Sequence, residues 1–202
     1  MNVDRKNSKT KTLIIVAILI LIFSVIGVSY AAIFYSKRGE KVNTVSTGTL
    51  MMSYSENTNG ISLTDAYPMT DDVGMSLNQD RQYFDFTVSA TTGGETIINY
   101  VITATKEADS TLPDNAIKVY LTNTDGGRET QMLPPTKISD LSTTDNSYIN
   151  APSGQFVLLA SDFRKSDTRN YRLRMWISND YVLPNSSMTY KLRVNVYGNV
   201  AV

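Results

Sequence analysis

Tyr171-Arg172-Leu173-Arg174-Met175-Trp176-Ile177-Ser178 (YRLRMWIS), followed after a turn at Leu183-Pro184-Asn185 by Met188–Val196 (MTYKLRVNV), decides the fold class. Tyr171, Leu173, Met175 and Ile177 alternate with Arg172, Arg174, Trp176 and Ser178. Met188, Tyr190, Leu192, Val194 and Val196 alternate with Thr189, Lys191, Arg193 and Asn195. Period two marks strands with one face in a core and one in water. Two such strands in succession predict an adjacent antiparallel pair. Arg172, Arg174, Lys191 and Arg193 then share one wet face, with Trp176 on it. That face is a candidate binding surface: cations grip anionic polymers such as teichoic acid, and aromatics beside Arg stack on sugars or partner proteins. The competing expectation is neutralisation by cross-strand acids such as Asp85, with a loop over Trp176.

Further strands are predicted upstream at Gln82–Ala90, Ile98–Ala104 and Ile117–Thr122, with shorter ones at Gly48–Tyr54, Ile61–Leu63 and Phe156–Ala160. Turn signals at Asn59-Gly60, Gly93-Gly94, Asp125-Gly126-Gly127, Pro134-Pro135 and Pro152-Ser153-Gly154 separate them. Asp125–Gly154 lacks periodicity and reads as a long excursion, and a helical turn is predicted near Ser161–Lys165. Seven to nine strands with almost no helix predict an all-β protein, an antiparallel β-sandwich or jelly roll.

Composition narrows the chemistry. The 202 residues include no Cys and no His, and 19 basic side chains balance 19 acidic ones. No disulfide framework, Cys-ligated metal, Ser-His-Asp triad or HExxH zinc site can form, and no overall field favours nucleic acid. Glu56, Asp65, Asp71 and Asp72 cluster in a loop-rich stretch but lack the spacing of a calcium loop. No pair of carboxylates is singled out for glycosidase chemistry. The expectation is a non-enzyme without cofactor or metal.

The N-terminus is different in kind. Residues 1–12 carry Arg5, Lys6, Lys9 and Lys11 against Asp4, a sum of +3. Leu13–Tyr35 is an uncharged run of 23 residues, about 34 Å as a helix against a hydrocarbon core of about 30 Å. The basic flank keeps residues 1–12 cytoplasmic and places the residues after Tyr35 outside. The run reads two ways, as a signal peptide cut after Ser29-Tyr30-Ala31, before Ala32, or as a retained signal-anchor with Lys37-Arg38 at the interface. Residues 36–47 form an extended linker or exchange segment, with Val42 and Val45 as candidate anchors in assembly, and residues 48–202 form the sandwich.

Gly27-Val28-Ser29-Tyr30-Ala31-Ala32-Ile33-Phe34, then Asn43, then Thr47-Gly48-Thr49-Leu50, resembles the start of the TasA/camelysin family of secreted bacterial proteins. The resemblance covers Gly27–Leu50. It implies a jelly-roll subunit of extracellular matrix fibres, as in biofilm, in which the N-terminal segment of one copy completes the sheet of the next. Camelysins have been labelled metalloproteases, but a chain without His has no residues for that activity. The expected function is therefore that of an exported structural protein acting by self-assembly or adhesion. Its expected partners are further copies of itself and, through residues 13–35, the membrane. Two alternatives stand beside it: a membrane-tethered module binding a surface glycan or anionic polymer, and an accessory subunit of a larger surface or virion assembly.

Overall fold

The computed structural model describes residues 34–38, 51–57, 61, 66–93, 96–145, 150–184 and 188–201. Nine strands occur among them: β1 (Phe34–Arg38), β2 (Met51–Glu56), β3 (Tyr83–Thr91), β4 (Ile98–Lys106), β5 (Ile117–Asn123), β6 (Thr130–Lys137), β7 (Phe156–Phe163), β8 (Asp167–Ile177) and β9 (Leu192–Val200). One short helix, α1 (Asp71–Met75), precedes β3. The strands form two antiparallel sheets, ordered β1-β9-β4-β7 and β2-β3-β8-β5-β6.

Alternation builds the core. Tyr171 and Leu173 of β8, Phe86 and Val88 of β3, Val119 and Leu121 of β5, and Tyr54 of β2 face Tyr100 and Ile102 of β4 and Val194 and Val196 of β9 across one buried cluster. Phe84, Phe86 and Tyr171 stack in sequence at ring separations of 5.6 and 5.5 Å. The two sheets also share a polar contact, the hydroxyls of Tyr100 and Tyr171 at 2.5 Å. Arg169 caps it, donating to the Tyr100 hydroxyl (2.9 Å) and the Ser161 Oγ (2.9 Å). Burial pushes the Tyr171 hydroxyl well above the ordinary tyrosine range, so it stays protonated.

Three expectations change. The strands β8 and β9 are not paired: β8 lies between β3 and β5, and β9 between β4 and β1. The connection from Ser178 to Lys191 crosses from one sheet to the other, as Greek-key linkages do. The stretch Asp125–Gly154 contains β6, whose Pro134 and Pro135 blur the alternation but suit a strand at a sheet edge, where a missing N–H costs no ladder bond. No helical turn forms at Ser161–Lys165, because Ser161–Phe163 continues β7. Of the candidate strand Ile61–Leu63, Ile61 lies outside any strand and the other two residues lie outside the described ones.

The last two residues of the apolar run, Phe34 and Tyr35, belong to β1, as do Ser36–Arg38 from the stretch read as a linker. Ser29, Ala31, Ala32, Val42 and Val45 lie outside the described residues.

Candidate functional site

The face predicted to bind divides between the two sheets. Arg172, Arg174 and Trp176 occupy the outer side of the five-stranded sheet, whereas Arg193 belongs to the other sheet and Lys191 immediately precedes its strand. The four cations therefore do not share a face. Alternation assigns the two sides of each strand correctly and leaves the pairing between strands undetermined.

On β8 the arginines are already engaged. Arg172 forks onto Asp85 of β3 (Nε 2.7 Å, Nη2 2.8 Å) and reaches Glu129 (3.3 Å), with its guanidinium 3.8 Å over the Tyr83 ring. Arg174 forks onto Glu129 (2.6 and 2.8 Å) and donates through Nε to the Leu77 carbonyl (2.5 Å). These are charge-assisted, bidentate bonds, the strongest class available to these side chains. Hydrogen bonds from Arg174 hold the Glu129 carboxyl below its ordinary range, against a smaller opposing push from burial. Asp85 and Glu129 leave little free positive field on this face.

Residues Ala66–Gln82, including α1, form a strap over the same face. Met69 bridges Ser178 beside the end of β8. Asp71 accepts two bonds from Lys118 of β5 (2.8 and 2.9 Å). Gly74 lies against the Trp176 indole so closely that an added Cβ would sit 2.2 Å from Cδ2. Trp176 is consequently buried, and its indole N–H finds no partner among the described residues. The sequence pattern places the ring on the outer side; what it does not reveal is that Gly74 supplies the flat surface that covers it.

A second feature is the seam between β1 and β9. Phe34 pairs with Asn199, Tyr35 with Gly198, Ser36 with Tyr197, Lys37 with Val196 and Arg38 with Asn195. β1 is five residues long, has β9 as its single neighbour in the sheet, and begins on the last two residues of the apolar run. Gly198 faces the core, where a Cβ would meet the Met52 side chain of the opposite sheet at 2.7 Å. On the outer side of β9, Tyr197 accepts from Gln155 Nε2 (3.0 Å), and Thr103 donates to Gln155 Oε1 (2.5 Å). β9 is thus fixed on its β4 side by nine paired positions and by this buried network, and on its β1 side by five pairs. The sequence signal for β1 is the aromatic pair Phe34-Tyr35, strand formers at the end of a run that otherwise reads as a helix.

The acids Glu56, Asp71 and Asp72 do not converge, Asp65 lies outside the described residues, and among the described residues no cluster of carboxylates suits a metal ion. No helix among them is long and apolar enough to cross a membrane; Leu13–Ile33 are not among them. Comparison with protein-family models, curated proteins and solved structures returns no match.

Proposed function

We propose that this chain is an exported cell-surface or extracellular structural protein that acts by self-assembly, with β1 as the element that passes from one copy to the next. The observation that carries the reading is β1 itself: a short edge strand, paired on one side, that begins on the last residues of the apolar run. Cleavage between Ala31 and Ala32 would leave it as a free N-terminal strand of the mature chain. Such a strand can add to the open edge of a neighbouring sheet, with main-chain hydrogen bonds supplying much of the affinity. The resemblance of Gly27–Leu50 to the TasA/camelysin family points the same way. So do the strand orders: β1-β9-β4-β7 facing β3-β8-β5-β6 is the order of a jelly roll, with β2 added at an edge. The membrane is a partner through residues 13–35 until cleavage, with residues 1–12 cytoplasmic.

The engagement of Arg172 and Arg174 by Asp85 and Glu129 and the burial of Trp176 leave the polymer-binding alternative without a supporting observation. The test is electron microscopy, with light scattering, of chains beginning at Ala32 and at Gly48 at matched concentration. Fibres from the first alone support the reading. Equal fibres from both remove β1 from the mechanism, and monomers from both remove assembly.

A further inference from the structure

We infer that, while the apolar run spans the bilayer, the connection between β7 and β8, Arg164-Lys165-Ser166, rests among the lipid headgroups, and that its ligand is lipid phosphate. The inference deepens the membrane partnership proposed above and rests on it. Residues 13–33 number 21, about 31 Å as a helix, enough by themselves for a hydrocarbon core of about 30 Å. Phe34, the next residue, is already paired in the sheet. No linker therefore separates the span from the folded body, and the surface around Phe34 meets the membrane.

The register identifies that surface. Phe34 pairs with Asn199, Asn199 with Asn99, and Asn99 with Asp162, one row across all four strands of the sheet. The row is about 14 Å wide from β1 to β7, three strand spacings. β7 runs on below it: Phe163 ends the strand, Arg164, Lys165 and Ser166 follow, and β8 climbs back from Asp167. With the strands upright, Arg164 is two residues past the row, about 7 Å closer to the bilayer than Phe34. The headgroup layer is itself only about 5–7 Å thick. The connection consequently reaches the depth at which the chain enters the membrane, at the opposite edge of the sheet. Lys37 and Arg38, the cations expected at the interface, climb away instead: they pair with Val196 and Asn195, about 10–13 Å above the row.

Charge and rigidity suit the connection to phosphate. Residues 162–169 hold three basic side chains, Arg164, Lys165 and Arg169, against two acidic ones, Asp162 and Asp167. Each acid already faces an arginine: Asp162 accepts from Arg164 Nε (2.8 Å), and Asp167 lies 3.9 Å from Arg169 Nε. Lys165 is exposed and enters no ion pair among the described residues, and the Arg164 side chain is 78% exposed. The backbone is braced from both sides. The Thr92 N–H donates to Ser166 Oγ (3.0 Å), which donates to the Thr92 carbonyl (3.3 Å), and Arg169 Nη2 donates to the Asp162 carbonyl (3.0 Å). Cations held where the phosphates stand gain charge-assisted bonds without first ordering a loop.

The full chain, reconstituted into vesicles of phosphatidylglycerol and phosphatidylcholine that carry a headgroup-nitroxide lipid, supplies the test. The chain has no cysteine, so a single fluorophore can be placed through Ser166→Cys, or through Ala108→Cys beyond the far end of β4. Emission at 166 is expected to be quenched several-fold more than at 108. Arg164→Gln with Lys165→Gln should remove most of that difference, since each cation at an anionic surface is worth roughly fivefold in bound population. Arg81→Gln, at the far end ahead of β3, should change nothing. Equal quenching at the two sites in chain that stays in the vesicles overturns the contact and leaves the span standing. Quenching at 166 that ignores the double variant overturns phosphate as the ligand. Chain washed off by alkaline carbonate would show that residues 13–33 do not span, and the membrane reading then fails together with the contact.

Discussion

Gly74→Ala sets two effects of opposite sign against each other. In a helix interior, replacing Gly by Ala ordinarily stabilises by about 1 kcal/mol through reduced backbone freedom. Here the new Cβ would lie 2.2, 2.3 and 2.7 Å from three carbons of the Trp176 ring. Carbon atoms settle at about 3.5–4.0 Å, so helix and ring must separate by more than about 1 Å. Neither partner yields easily: Trp176 is 1% exposed, and the strap is fixed by Asp71 on Lys118 and by Arg174 on the Leu77 carbonyl. Overpacking of this kind costs about 1–3 kcal/mol, which outweighs or cancels the gain in helix propensity and does so fully where the strap lifts off the sheet. The expected result is a melting temperature lower by up to roughly 8 °C, measured by circular dichroism. Because the chain contains one Trp, fluorescence reports the same contact directly, and its emission should shift to the red as the ring meets water. A rise in melting temperature with unshifted emission would show that the strap does not pack on Trp176.

The same geometry fixes three further outcomes. Val196→Asp buries an unpaired carboxylate between the sheets and should cost several kcal/mol, whereas Arg193→Ala, which removes a half-exposed pair with Glu107, should cost about 1 kcal/mol or less by chemical denaturation. Glu129 has a carboxyl pKa lower in the folded state than in the unfolded chain, so its contribution is present above the unfolded value and fades as pH falls through the folded one; Glu129→Gln should flatten the acid side of the stability profile and leave the neutral-to-alkaline side parallel to the parent. A double-mutant cycle of Tyr100→Phe and Tyr171→Phe should give a coupling of about 1 kcal/mol for the hydroxyl pair that joins the sheets; simple additivity would show that the pair is not bonded.

Strand positions are legible in the sequence wherever one face is buried, since the period of two is imposed by the core: β3, β4 and β5 fall within one or two residues of the alternating stretches, while β8 ends one residue before Ser178 but begins four residues ahead of Tyr171. The partner of each strand is not legible. Alternation on β8 and β9 reports a face and is indifferent to which strand lies alongside. The strand β6 is hidden because the edge that tolerates Pro134 and Pro135 also relaxes the pattern by which strands are found. β1 is hidden for another reason: Phe34 and Tyr35 continue the hydrophobicity of the run before them, and hydrophobicity alone does not distinguish a helix from a strand. For the candidate site, the pairing of Arg172 with Asp85 is open to sequence reasoning, as is a loop over Trp176. That Glu129 reaches both arginines, and that Gly74 meets the indole, requires the fold to bring together residues 43 to 102 positions apart in the chain.

Whether β1 leaves its own sheet for a neighbour's is read most directly by a cross-link across the β1–β9 seam. Phe34 and Asn199 are directly opposed in the ladder, where Cα atoms of antiparallel partners lie about 4.5–5.5 Å apart, within the range a disulfide spans. With no native cysteine in the chain, no other thiol competes with the pair in a Phe34→Cys, Asn199→Cys variant, and the two single variants control for 34–34 and 199–199 bonds between copies. Oxidised after assembly and run without reductant, it should give a ladder of covalently joined copies, while the same variant oxidised as dilute monomer gives a single internally closed species. Internally closed monomers recovered from intact fibres would place β1 in its own sheet throughout and contradict strand exchange.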